Sequence, residues 1–283
     1  MDQRVQTRSK KKYNLERYLG VPYDVVMTIL VVIPILLLVL SSFQSETTTG
    51  LFPFTFSFSH YGEFFSTPSF VRSMATSLWI AFGTTIVCLV IGYPIAYILT
   101  KLKFRTQMAL ILLFNAPMWI NSLLRIRALK QIMELFAPSM IGTPMAIIIG
   151  LAYIYLPFMV LPIYAVLAKI DRNLLESSAD LGANRFQTLA KVVIPLSLSG
   201  VISGIMMVFL PAATTIIVPR YLDPSSNLYM VGTLIERSII EQERIPYSSA
   251  IAIVLSAVIL AFVFYIKKLD RYKGVNANET ESR

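Results

Sequence analysis

Few side chains in this 283-residue sequence could make or break bonds, and their numbers exclude most such chemistry. Cys88 is the one cysteine and His60 the one histidine, so neither a Cys/His zinc set nor a histidine-based triad can be assembled. No G-x-x-x-x-G-K-[S/T] occurs, so the chain has no P-loop of its own for ATP. Cys88 reads as a small packing residue and His60 as a surface residue.

What stands out is a polar interruption, Lys169 to Pro195, between two long apolar segments. Asp171 can cap a first short helix whose apolar positions Ile170, Leu174, Ser178 and Leu181 recur at helical spacing, with Arg172, Glu176 and Asp180 on other faces. Gly182 suits the position after a helix end, where a left-handed backbone is tolerated. Asn184, with Gln187 three residues on, has the form of a capping box for a second helix, with Phe186, Leu189 and Val193 on one side and Pro195 ending it. Two amphipathic helices hinged at a glycine suit a docking surface. The same pattern also suits a loop lying on lipid headgroups.

The elements that must position this loop are membrane spans. Hydrophobic residues make up 55% of the chain, charged residues 14%, and mean hydropathy is +0.66. Charge-free stretches between 19 and 34 residues long recur along it, each able to hold the ~20-residue helix that crosses a hydrocarbon core. Spans are expected near 25–43, 74–99, 107–124, 145–167, 198–218 and 247–266, an all-α polytopic protein. The first should remain as an anchor, because its charge-free run exceeds a signal-peptide core and no small-residue cleavage site closes it. A basic tail (1–24), a transmembrane domain (25–266) and a C-terminal tail (267–283) follow from these limits.

Orientation follows from Lys and Arg. The two tails and the loops at 101–105 and 169–191 hold 18 of the 25 basic residues and the whole net charge of +9. The positive-inside rule makes that face cytoplasmic, in a plasma or inner membrane, with both termini inside. Beside a span, the basic N-terminal tail reads as a topology determinant and headgroup contact, with no nucleic-acid partner. None of the expected spans carries Asp, Glu, Lys or Arg, which disfavours a proton- or ion-coupled carrier and leaves energy to a partner.

Glu176-Ser177-Ser178, three residues, Gly182, nine residues and then Val192-Val193-Ile194-Pro195 resembles the E-A-A-x3-G-x9-I-x-L-P loop of permease subunits in bacterial ABC importers. Serine replaces both alanines, and the aliphatic pair differs. Pro117-Met-Trp119-Ile-Asn121-Ser122, Gly92-Tyr93-Pro94 and Phe209-Leu210-Pro211-Ala212 are similar to the first permease subunit of spermidine/putrescine importers, and related permeases for ferric iron, sulfate, molybdate or thiamine share the architecture.

The resemblance implies a type I importer permease fold with coupling helices between the fourth and fifth spans, and Glu176, Ser177, Ser178, Asp180, Leu181, Gly182 and Pro195 contacting a cytoplasmic ATPase. It implies a second permease, two ATPase copies that bind the ATP and magnesium, an extracytoplasmic substrate-binding protein, and no catalysis, cofactor or metal on this chain. For a polyamine, the pathway candidates are Trp119, Tyr153, Tyr155 and Tyr164 by cation–π contact, helped by Asn115 and Asn121, each contact contributing about 0.5–2 kcal/mol. Arg125 beside them would repel such a cargo if it pointed inward, and is expected to anchor a span end or meet an acid of a partner. Glu236 and Glu241 are candidate external contacts in a mixed-charge loop. The competing classes are a passive channel or scaffold, which leaves the 176–195 motif without a task, and a membrane enzyme, which lacks clustered reactive groups.

Overall fold

The computed structural model describes residues 21, 23, 25–45, 55–223 and 230–281. The basic residues between Arg4 and Arg17 lie outside this set, as do the side chains of Lys267 and of residues 269–283. The described chain is helical throughout, apart from an isolated antiparallel bridge between Gln44 and Phe56.

In chain order the helices are α1 (Val25–Ser42), α2 (Ser59–Ser66), α3 (Pro68–Lys101), α4 (Phe104–Asn115), α5 (Ser122–Phe136), α6 (Pro144–Leu167), α7 (Arg172–Asp180), α8 (Arg185–Thr188), α9 (Ile194–Leu196), α10 (Leu198–Thr214), α11 (Ile217–Leu222), α12 (Val231–Ile240) and α13 (Ile245–Glu281). Among the described residues, four helices are long and apolar enough to span a membrane: α1, Phe70–Lys101 of α3, α6 and Ile245–Ile266 of α13. Two bent pairs bring the total to six if each is one span.

The bends depart from the expected spans. The stretch expected as one span at 107–124 instead breaks, after a 3₁₀ turn at Ala116–Trp119, and α5 leaves at 95°. Asn121 explains the restart, since its Oδ1 accepts the Leu123 N–H at 2.8 Å as an N-cap. Near the fifth span, Arg185–Leu196 and Leu198–Thr214 meet at 66°. Pro195 sits inside α9, so the break falls at Ser197, and α10 stops at Thr214 rather than 218.

α3, α6 and α10 form the central trio. Small residues permit the close approach: a Cβ on Gly200 would lie 2.8 Å from the Pro162 carbonyl oxygen, and one on Gly204 would lie 2.7 Å from Met159 Sδ. The trio's apolar interior divides along its length. One cluster holds Ile80, Ala81, Ile147, Leu151, Ala212 and Tyr247, and the other holds Cys88, Ala96, Leu99, Met159, Ile163 and Val193. α1 stands apart, with only 6% of its span buried.

At the start of α3, α2 and α12 pack with α13, and the α12 N-terminus is held when Val231 N–H donates to Ser77 Oγ at 2.7 Å. His60 is buried here rather than at the surface, its Nε2 2.9 Å from the Gln44 carbonyl oxygen. α2 folds back over the bundle and carries the ring inward. Cys88 is buried as expected.

Candidate functional site

The polar interruption folds as α7, α8 and α9. Asp171 Oδ1 accepts the Asn173 N–H at 3.0 Å, capping α7. Gly182 has φ +81°, and its N–H donates to Ala179 O at 2.9 Å while Ala183 N–H donates to Ser178 O at 3.1 Å. This pair of bonds closes a Schellman turn, which needs the left-handed residue that glycine supplies. Asn184 and Gln187 form the reciprocal box at 2.8 and 2.9 Å. A π-helical turn at Leu189–Val193 then leads into α9.

Ser178 fastens the hinge. It is buried, its Oγ donates to Leu175 O at 2.9 Å, and it lies 2.9 Å from Thr188 Oγ1, so a hydroxyl pair joins α7 to α8. A second hydroxyl pair joins the loop to the trio: Tyr93 OH on α3 lies 2.9 Å from Ser197 Oγ, at the α9–α10 break. Leu175, Leu189 and Val193 pack into the cluster with Ala96, Leu99 and Leu167. The loop thus packs directly against α3, α6 and α10.

The inward face of α7 differs from the expected stripe. Leu175 and Ser178 turn toward the bundle, while Leu174 and Leu181 point away, with Leu181 89% exposed and Phe186 of α8 76% exposed. Ile170 and Ser178 of that stripe do face the bundle, with Leu175 in place of Leu174, and the Ser178 hydroxyl holds α7 in this register. Glu176, Ser177, Asp180 and Pro195 are also exposed. A cavity of about 730 Å³ lined by Tyr97, Lys101, Gln107, Tyr164 and Glu176 lies behind the loop, between it and the ends of α3 and α6.

The pathway candidates do not share one cavity. Tyr164 lines the cavity behind the loop, whereas Tyr153 lines a separate apolar one of about 420 Å³ among α3, α4 and α6. Tyr155 packs edge-on against Phe158 at 6.1 Å between ring centres. Trp119 is 81% exposed and Asn121 is committed to its cap; Asn115 likewise donates to its own helix, at Ile111 O.

Glu236 and Glu241 each face a guanidinium, those of Arg220 and Arg237. A further ionic contact at that end has no signal in the sequence. Arg244 holds Glu63 through two hydrogen bonds of 2.9 and 2.7 Å and lies 4.3 Å over the Tyr247 ring. The Arg244 hydrogen bonds hold the Glu63 carboxyl below its usual range, against an opposing push from burial. Its partners lie far apart in sequence, so no local pattern marks it.

Of the two roles expected for Arg125, the interfacial anchor does not hold: the α4–α5 bend carries it against α6, where it is 7% exposed and 5.9 Å from the centre of the Tyr153 ring. Among the described residues the groups of three or more His, Cys, Asp or Glu able to hold a metal number none.

Residues 13–272 match the family model of the binding-protein-dependent transport system inner membrane component. The chain is 34% identical over 252 residues to the spermidine/putrescine transport system permease protein PotB of Haemophilus influenzae, covering 83% of this chain and 87% of that protein. It is 33% identical to PotB of Escherichia coli over 82% and 89% of the two chains. Among solved structures it superposes on a chain of a bacterial ABC transporter that imports the acidic polysaccharide alginate, with a TM-score of 0.70, 14% identity, and coverage of 95% and 99%. A chain of the inward-facing methionine transporter MetNI matches with a TM-score of 0.54 and 19% identity over 72% and 94%.

Proposed function

Because the chain belongs to the family of binding-protein-dependent transport system inner membrane components, we propose that it is one permease half of an ATP-driven importer whose cargo is a polyamine such as spermidine or putrescine. The polyamine reading rests on the likeness to PotB proteins over more than four-fifths of the chain. The energy enters at α7–α9. The observation that carries this part is a loop closed by its own hydrogen bonds, fastened to α3 through Ser197, yet presenting Leu181 and Phe186 to solvent. Apolar side chains held outward by a capped scaffold are what a partner's cleft removes from water, at ~25 cal/mol per Å² buried.

Leu181 and Phe186 enter a cleft of a cytoplasmic ATPase, and Glu176, Ser177 and Asp180 form the polar rim. Closure of two ATPase copies on ATP and magnesium moves the loop. The movement passes through the Ser178–Thr188 and Tyr93–Ser197 hydroxyl pairs and the Val193 packing to α3 and α10. A second permease supplies the other half of the path, an extracytoplasmic binding protein delivers cargo, and both termini lie on the cytoplasmic side of the cell membrane. Selectivity resides mainly in the binding protein, since the aromatic candidates Trp119, Tyr153, Tyr155 and Tyr164 are too dispersed to converge on one cation.

Gly182→Pro tests the loop, because proline cannot adopt φ +81°. The variant should lose ATPase co-purification and uptake; normal assembly and uptake would contradict coupling through this hinge.

A further inference from the structure

Arg125 is the fourth residue of α5, and its Nε and Nη1 are buried with no hydrogen-bond partner. The ion pairs of Lys130, Arg220, Arg237 and Arg244 do not involve Arg125. Arg127, two residues on and exposed, contrasts with it, lying 5.2 Å over the Tyr221 ring and donating to Tyr221 OH at 3.4 Å. The position also lies well along α6. Tyr153 lies nine residues into α6, so the guanidinium sits roughly 13 Å along that helix at 1.5 Å per residue. A buried charge with two unbonded donors is destabilising, and such groups mark functional contacts.

We propose that Arg125 receives a carboxylate from the second permease, and that this buried ion pair sets the register of the two halves. The ligand must be an anion slender enough to reach a side chain that is 7% exposed. A single Asp or Glu side chain meets that limit, whereas a lipid phosphodiester, branched on both sides, does not. Asn121 and Arg127 beside it are exposed and polar, but the larger exposed side chains Trp119, Ile120, Leu124 and Tyr153 are apolar or aromatic, as suits contact with a membrane-embedded partner better than with a water-soluble one. Pairing also removes a conflict with the cargo, because an unneutralised guanidinium beside Tyr153 repels a polycation at that depth. The guanidinium's several fixed donors and the carboxylate's two oxygens give a directional bond, suited to fixing register.

The proposal rests on the permease reading, and its test is arranged to fail separately from that reading. A photo-reactive benzoylphenylalanine at position 124, which is exposed, is introduced into the complete importer, and ATPase retention is measured on the same preparation. The expected result is a crosslink to the second permease with the ATPase retained. Crosslinks confined to lipid or the binding protein, with the ATPase still bound, would overturn the proposal while leaving the coupling reading intact. In parallel, Arg125→Asp should weaken retention of the second permease about thirtyfold or more, and one Asp or Glu to Arg change in that permease should restore it. Undiminished retention by Arg125→Asp, or failure of every such reversal to restore it, would also overturn the proposal.

Discussion

The two ends of α3 are finished in different ways. At its start, α2, α12 and α13 are joined by contacts between residues remote in sequence: Arg244 to Glu63, Arg220 to Glu236, and Val231 to Ser77. At its finish, α7 and α8 are built from bonds spanning a few residues, namely the Asp171 cap, the Gly182 turn and the Asn184–Gln187 box, and their apolar tips stay uncovered. The first end is tied together by long-range contacts within the chain. The second is built locally and leaves Leu181 and Phe186 exposed, the surface that the proposed function gives to the ATPase.

The largest expected effect breaks the second end without touching the first. Leu181→Asp combined with Phe186→Asp removes two anchors, and loss of such interface residues costs about 2 kcal/mol or more each, enough to abolish ATPase retention. Thermal stability of the isolated permease should stay within about 0.5 kcal/mol of the native value, because both side chains are exposed. Parallel losses of stability and retention would erase the distinction between the ends.

A smaller effect is expected where the loop joins α3. Tyr93→Phe deletes the hydroxyl that meets Ser197 and should cost about 1 kcal/mol of stability. Its sharper signature is ATP hydrolysis less tightly linked to uptake, measured as ATP consumed per cargo moved in proteoliposomes. An unchanged ratio would remove this pair from the transmission route.

The smallest effect belongs to the first end. Glu63 has a folded-state pKa below its usual value near 4.5, so its pairing stabilises fully above that value and is lost as pH falls through the lower folded value. Because the Glu63 side chain is 38% exposed, the contribution is about 1 kcal/mol at most. Glu63→Gln should therefore lower the melting temperature slightly at pH 7, with the difference from native shrinking toward pH 3. A difference that grew on acidification would contradict the assigned sign.

The comparison also explains what could be read from the sequence. Asp171, Gly182, Asn184 and Gln187 announce their roles because capping depends on neighbours within a few positions, and all four do in the structure what their spacing predicts. The central helices were legible from apolar length. Hidden from the sequence were the 95° turn after Trp119, the burial of His60 and Arg125, and the outward turn of Leu181. Each is decided by packing against an element distant in the chain. The Ser178–Thr188 bond fixes which side of α7 faces inward, and no apolar periodicity encodes a hydroxyl pair.

The central claim is that α7–α9 carries the ATPase contact, and site-specific crosslinking from position 181 in the assembled importer reads it most directly. The account predicts a crosslink to the ATPase whose yield changes when ATP and magnesium are added. Crosslinks to lipid alone, or to the ATPase with a yield indifferent to nucleotide, would contradict it.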